Sequence, residues 1–263
     1  MSAATKIEWC DKSWNCVRGC SVVSPGCVNC YAMKQAHRFS GEGKPYHGLT
    51  KSTKAGAQWT GAIRTVEDRL LEPLSWRKPQ RVFVNSMSDL FHEDVPDAFI
   101  DKVFAVMALA ARHTFQILTK RAERMRRYLA TTGQTYPSAT RNDDVSAAMF
   151  GLVIDNELNY SDEDCLLNGD RWPLPNVWLG VSVENQHFAD ERIPLLLATS
   201  ATVRFLSCEP LLGPIDLMKP IGRSDVHANG VDWVIVGGES GSSARPMDLA
   251  WARSIVQQCQ AAG

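Results

Sequence analysis

The chain has 263 residues, 44% of them hydrophobic and 22% charged, which excludes a disordered or fibrous protein and leaves ample length for a large core. Its net charge of −1 excludes a global field for nucleic acid, so such a partner would need a local basic patch. No stretch approaches the ~20 apolar residues of a helical membrane span, and no apolar run follows the N-terminal Met-Ser-Ala-Ala-Thr-Lys, so no membrane partner and no secretory signal are expected.

Residues 10–31 are a cysteine segment. Five of the eight cysteines lie there: Cys10, Cys16, Cys20, Cys27 and Cys30. The last three frame a loop with six and then two residues between them, and Gly19, Pro25 and Gly26 supply turns. A free cysteine packs as a small apolar residue anywhere in a core. A cluster among glycine and proline is instead a soft-metal signal for zinc or an iron–sulfur centre. A cytoplasmic, reducing setting is expected, where clustered thiols read as ligands rather than disulfides. Trp9 and Trp14 flank the segment, either shielding a cluster or filling a core. Residues 32–38 have helix-forming composition, so Cys30 falls at a helix N-terminus, which favours a thiolate.

Residues 40–60 read as a polar, glycine-rich surface loop, in which His47, Lys51 and Lys54 are solvated or meet a phosphate. Residues 65–78 read as a helix ended by Pro79. An alternation then begins. The apolar run from Arg81 to Ser86 is a strand, followed by a helix entered at Pro96. The run Thr114 to Leu118 is a strand, followed by a helix over about 122–130. Residues 131–175 interrupt the rhythm as an insertion, with one short helix near 143–152 and an isolated Cys165. Strands resume at Val177, Val203 and Asp232, with a helix over about 187–199. A last helix is capped by Asp248 and carries Trp251, Ile255 and Cys259 on one face.

Continuous apolar strands alternating with helices predict a parallel sheet covered on its faces. A single α/β domain spanning 1–263 is expected, with one more strand beyond Gly263. Each strand ends in polar residues: Ser88 and Asp89; Thr119 and Lys120; Glu184 and Asn185; Ser207 and Glu209; Gly237, Gly238 and Glu239. Ligand sites of parallel α/β folds lie at the C-terminal strand ends, so these five groups are predicted to converge on one mouth.

The three-cysteine loop, closing in Cys27-Val28-Asn29-Cys30-Tyr31 ahead of β/α units, resembles the radical SAM enzymes. The first spacing is six residues where three is usual. The chain is more closely similar to a phage-associated, poorly characterised family with the same three-cysteine motif. That likeness is carried by Ser24-Pro25-Gly26-Cys27, Asn29-Cys30-Tyr31-Ala32, Ser86-Met87-Ser88-Asp89-Leu90-Phe91, Leu118-Thr119-Lys120-Arg121, Ser182-Val183-Glu184-Asn185, Ser207-Cys208-Glu209-Pro210 and Gly237-Gly238-Glu239-Ser240. It covers nearly the whole chain except 131–175. Cys10 and Cys16 stand where relatives often have Thr and Pro.

The resemblance implies a partial or near-complete parallel (β/α) barrel of the radical SAM type. It also implies a [4Fe–4S] cluster on Cys20, Cys27 and Cys30, with S-adenosylmethionine on the fourth iron. An external electron donor would reduce the cluster, and a 5′-deoxyadenosyl radical would abstract a substrate hydrogen. By the same analogy Tyr31 stacks near the adenine. Ser86, Ser88 and Asp89 meet the methionine amino group, and Lys120 meets its carboxylate. Glu184 or Glu209 holds the ribose, while Gly237 and Gly238 let backbone approach the ligand. For Lys120, Glu184 and Glu209 an ion pair at the mouth is the alternative. Phage association implies a bacterial host cytoplasm and a nucleic-acid or nucleotide substrate, such as a modified thymine in phage DNA; the basic stretch from Lys120 to Arg127 either meets phosphate or is a solvated helix face.

Two rivals stay open. Cys16, Cys20, Cys27 and Cys30 form a four-thiolate set that zinc accepts, giving a structural knuckle on a non-catalytic nucleic-acid or protein binding module. The barrel could also be a binding scaffold without cofactor, since fold alone does not establish function. Gly237-Gly238-Glu239-Ser240-Gly241 lacks the lysine and spacing of nucleotide fingerprints and is read as a site-lining loop.

Overall fold

A computed structural model describes residues 5, 7–54, 56–130, 140–159, 172–218 and 230–262. Its centre is a six-stranded sheet in which every pairing is parallel. The strands are β1 (Lys12–Trp14), β6 (Arg81–Val84), β7 (Thr114–Thr119), β8 (Val177–Ser182), β9 (Val203–Cys208) and β10 (Trp233–Val236), neighbours in that order. The short strands β2 (Val17–Arg18) and β5 (Arg64–Thr65) pair antiparallel, as do β3 (Thr50–Thr53) and β4 (Gly56–Trp59). The helices are α1 (Tyr31–Arg38), α2 (Asp97–Leu109), α3 (Ala122–Ala130), α4 (Arg141–Asp155), α5 (Gln186–Leu197) and α6 (Leu249–Ala262). No described helix is long and apolar enough to cross a membrane.

Side chains alternate across each strand. Val82, Val84, Phe115, Ile117, Leu179, Val181, Leu206 and Cys208 join the main core with the buried faces of the helices. α2 lies deep in that core and buries Phe99, Ile100 and the run Val103 to Ala108, hence its nearly unbroken apolar composition. α3 buries Ala122, Met125 and Tyr128, a three-residue rhythm that leaves Glu123 and Arg127 outside. Buried Arg141 ties α4 to its neighbours: its guanidinium meets Asp101 at 3.0 Å and Asp144 at 3.1 Å and stacks 4.1 Å from the Tyr128 ring.

The opposite sheet face carries Phe83, Gln116 and Trp178 in one register row and Gly180, Phe205 and Trp233 in another. Gly180 is required there, because a Cβ would stand 2.5 Å from the Phe205 ring. Trp9 packs against this face, its ring 4.5 Å from Phe83, 6.4 Å from Phe205 and 6.0 Å from Trp233. On a flat sheet β6 and β9 would lie about 14 Å apart, three strand spacings. One indole cannot bridge that gap at these distances, so the sheet is strongly curved around Trp9. Among the described residues it does not close.

Several expectations change. The segment 65–78 is not a helix but two single turns, Glu67–Arg69 and Glu72–Ser75, because Pro73 withholds the amide a continuing helix needs. The expected loop over 40–60 contains the β3–β4 hairpin, pinned by buried Leu49 and Trp59 and turned through Gly56 at φ +103. β1 lies inside the cysteine segment, where three residues of mixed polarity give no strand signal; it is held by pairing with β6 and by the Asn85 amide donating to Trp14 O at 2.7 Å. Trp14 is fully buried, donates to Arg69 O at 2.8 Å and packs on Phe115, so it is a core residue. The short helix expected near 143–152 is α4. Cys165 and much of the 131–175 insertion lie outside the described residues. Cys259 is exposed, unlike Ile255 on the same helix.

Candidate functional site

The cysteine loop lies across the C-terminal ends of the parallel strands. It starts at Gly19, whose φ of +92 and contact with Ala62 O leave no room for a side chain. Gly19 bridges to Ser88 beyond β6, and Ser88 Oγ donates to Val17 O at 2.8 Å. A tight turn over Pro25–Cys27 then leads to Cys30, the N-cap of α1. The fold therefore brings Cys20, Cys27 and Cys30 together, with each pair close enough to interact electrostatically. Burial, the Asp89 carboxylate and the other two thiols push Cys20 up to about 12, against the pull of Arg121. Burial also raises Cys30, and the nearby Lys120 ammonium opposes this.

Cys16 does not join them. It is fully buried, donates to Asn85 Oδ1 at 3.7 Å and is pushed up to about 12 by burial. Cys10 is buried beside β6 and raised to about 11 for the same reason. The four-thiolate zinc set is thus not assembled. Among the described residues no three His, Cys, Asp or Glu side chains are arranged to grip a single ion.

The polar strand ends meet beneath this loop, and several have become scaffold. Asp89 accepts from the Phe91 amide, Thr119 Oγ1, the Lys120 amide and Arg121, which leaves it no lone pair directed at a ligand. Glu184 is completely buried, accepts from Ser24 Oγ and from Arg192 at 3.1 Å, and forms an ion pair with Lys120 Nζ at 3.7 Å. Gly26 passes directly over it: a Cβ there would stand 2.5 Å from Glu184 Oε1. Glu184 therefore anchors the loop and has no oxygen turned to a ribose. Ser86 Oγ is taken by Asn15 Oδ1 at 3.3 Å.

Four groups still face the mouth besides the thiols. Tyr31 is 43% exposed, while its hydroxyl is turned inward and donates to Ser86 O at 2.6 Å; that local desolvation and the Cys30 and Glu209 charges raise its phenol. Lys120 lies between Glu184, Cys30 and Glu209. Glu209 accepts no hydrogen bond among the described residues, and crowding at the mouth raises its acid despite Lys120. A Cβ at Gly237 would stand 3.1 Å from Glu209 Cδ, a tight approach that a small shift of that side chain would relieve, whereas one at Gly238 would make only an ordinary contact with Met247.

Two participants escape sequence reading. Arg121 is buried in the middle of the network, 2.9 Å from Glu93, 2.7 Å from Ser21 Oγ and 3.9 Å from Cys20 Sγ. Nothing in the basic run 120–127 singles it out. The second is Arg245, which clasps the strand-end acid Glu239: Glu239 accepts from Asn29 at 2.8 Å and from Arg245, which also donates to Pro25 O at 2.8 Å. Arg245 and the other donors lower Glu239 to about 2. A depressed carboxylate contributes stability above its ordinary value near 4.5 and loses it as pH falls through about 2. Amide exchange around Asn29, corrected for intrinsic rates, is expected to rise between pH 4.5 and 2 in the wild type. The Glu239→Gln variant is expected to show the faster exchange already at pH 5.

Fold and site define an α/β protein that presents three convergent thiols at the C-terminal edge of a curved parallel sheet. The family model DUF5131, described as a protein of unknown function, matches residues 4–263, and the chain belongs to that family. No curated protein and no solved structure matches it.

Proposed function

We propose that this chain is a radical SAM iron–sulfur enzyme, with Cys20, Cys27 and Cys30 as ligands of a [4Fe–4S] cluster. The observation that carries the reading is the separation of the thiols: these three meet over the strand ends, while Cys10 and Cys16 are buried elsewhere. A closed zinc site needs a fourth ligand, whereas a cluster with one open iron needs only the three thiols that meet here, Cys16 being buried elsewhere. We read the curved sheet as an incomplete parallel (β/α) barrel of the radical SAM type.

With S-adenosylmethionine bound, the cluster would supply one-electron chemistry able to attack an unactivated C–H bond. The chain's own residues bind and orient. By the radical SAM analogy Lys120 would meet the methionine carboxylate, Glu209 the ribose hydroxyls and Tyr31 the adenine face. Asp89 and Glu184 act one step back by holding Arg121, Lys120 and the cysteine loop in position. The proposed substrate is a nucleic-acid component, and electrons come from an external donor.

Iron and sulfide analysis after anaerobic purification tests the reading. About four irons per chain, absorbance near ~400 nm and loss of both in Cys27→Ala are expected, with full retention in Cys16→Ala. A colourless protein that holds one zinc and loses it in Cys16→Ala would refute it.

A further inference from the structure

The cations after β7 are spoken for. Arg121 pairs with Asp89 and Glu93, Arg124 with Asp97, and Arg126 with Glu123 at 2.9 Å. Lys120 sits 3.7 Å from Glu184. That stretch is largely matched by neighbouring carboxylates. The unneutralised charge lies elsewhere. Between residues 31 and 64 the chain carries Lys34, Arg38, Lys44, Lys51, Lys54 and Arg64 against the single carboxylate Glu42, in a protein of net charge −1. None of these six cations forms an ion pair among the described residues, and all but half-buried Lys34 are exposed.

These residues form one body beside the mouth. α1 and the β3–β4 hairpin share a small core of Ala32, Met33, Ala36 and Trp59 with Met87 from the segment after β6, separate from the main one, with Cys20 and Cys30 packed on its edge. Because α1 turns its apolar face into that core, its outer stripe is Tyr31, Lys34, Gln35 and Arg38, at helical spacing. The stripe starts at the thiol mouth, where Tyr31 bonds to Ser86 O. Lys34 Nζ reaches to within 3.9 Å of the Cβ position at Gly241, in the loop after β10. At the far end of α1, Phe39 is also exposed.

We infer that the outer stripe of α1, with the hairpin lysines, is a docking track for single-stranded nucleic acid leading into the thiol mouth. Cations spaced along a helix suit successive phosphates, and exposed Phe39 at its outer end offers a stacking face, a combination that binds single strands without sequence preference. An acidic membrane surface fits less well, since the apolar face α1 would insert is already buried. The inference deepens the proposed function by naming the substrate class and its approach, but it does not depend on the cluster.

The test uses the full chain without reconstituted iron. Fluorescence anisotropy with a labelled oligothymidylate of about 20 nucleotides is expected to show binding that weakens steeply with salt, with a slope of about −0.7 per phosphate contact. Lys34→Glu with Arg38→Glu is expected to weaken binding at least about tenfold and flatten the slope by about 1.4. Lys51→Glu with Lys54→Glu provides a second pair, remote from the thiols, should the first disturb α1. Arg126→Glu is the control and leaves binding unchanged. No binding at low salt, equal loss in the control, equal affinity for a duplex of the same length, or binding only to acidic vesicles would each overturn the inference. Iron content is read separately, so the failure of one proposal is distinguishable from the failure of the other.

Discussion

Replacing Arg192 by alanine is expected to cost about 3–5 kcal/mol of unfolding free energy in urea denaturation. The magnitude follows from burial. Glu184 is fully buried and Arg192 is 1% exposed, so neither charge is solvated. Arg192 Nη1 spans Glu184 at 3.1 Å and Ser182 O at 2.8 Å, and its guanidinium stacks 4.2 Å from the Phe188 ring. Alanine removes the counter-charge, strips the Ser182 carbonyl of a donor and leaves a cavity beside Phe188. Ser24 and the more distant Lys120 cannot replace a guanidinium. The double variant Glu184→Leu with Arg192→Met removes both charges, and about half or more of the loss is expected to return, because an apolar pair of similar volume avoids desolvating two ions. Stability would return without the loop anchor, since leucine offers Ser24 no acceptor. The double variant therefore separates the core role of the pair from its role in holding the cysteines. A loss below about 1 kcal/mol for Arg192→Ala would mean that water replaces the guanidinium, contrary to the burial of the site.

The parallel sheet is legible in the sequence because its strands are buried on both faces. Runs such as Thr114 to Leu118 and Val177 to Val183 admit few other readings. Short or amphipathic pieces are not legible. Lys12–Trp14 becomes a strand only because β6 offers a partner, and the Thr50–Thr53 arm of the hairpin looks like loop until Trp59 is known to be buried. The same holds for the site. Convergence of polar strand ends follows from topology, so Asp89, Lys120, Glu184 and Glu209 meet as expected. Spacing cannot say which acids face a ligand and which brace the frame. Glu184 is adjacent to Asn185 in sequence, yet burial and Arg192 turn it into an anchor. The Glu239–Arg245 clasp and the place of Arg121 beside Cys20 depend on three-dimensional contacts across 6 and 101 residues that no local pattern encodes.

The anchor leads to the second large effect. If Cys20, Cys27 and Cys30 hold the proposed cluster, Gly26→Ala is expected to weaken iron binding by about 10–100-fold while leaving the sheet and helices in place. The added methyl would stand 2.5 Å from Glu184 Oε1, 2.6 Å from Cγ and 2.9 Å from Cδ. A flexible acid would swing away, but Arg192 pins this one from below. The cysteine loop must move instead, and Cys27 is the next residue. Overpacking of this kind costs about 1–3 kcal/mol, well short of unfolding a domain with a core this extensive. Gly238→Ala is the matched control, since its Cβ would make only a 3.6 Å contact with Met247, and metal loading should be unchanged. Glu184→Ser combined with Gly26→Ala is not expected to rescue the loading, because it removes the clash but also the acceptor of Ser24 and the counter-charge of buried Arg192. Iron content and circular dichroism, measured together on the four proteins, read both quantities. Full iron loading in Gly26→Ala would show that the thiols take their positions independently of Glu184, and the loop anchor would then have to be sought in the Glu239–Arg245 clasp.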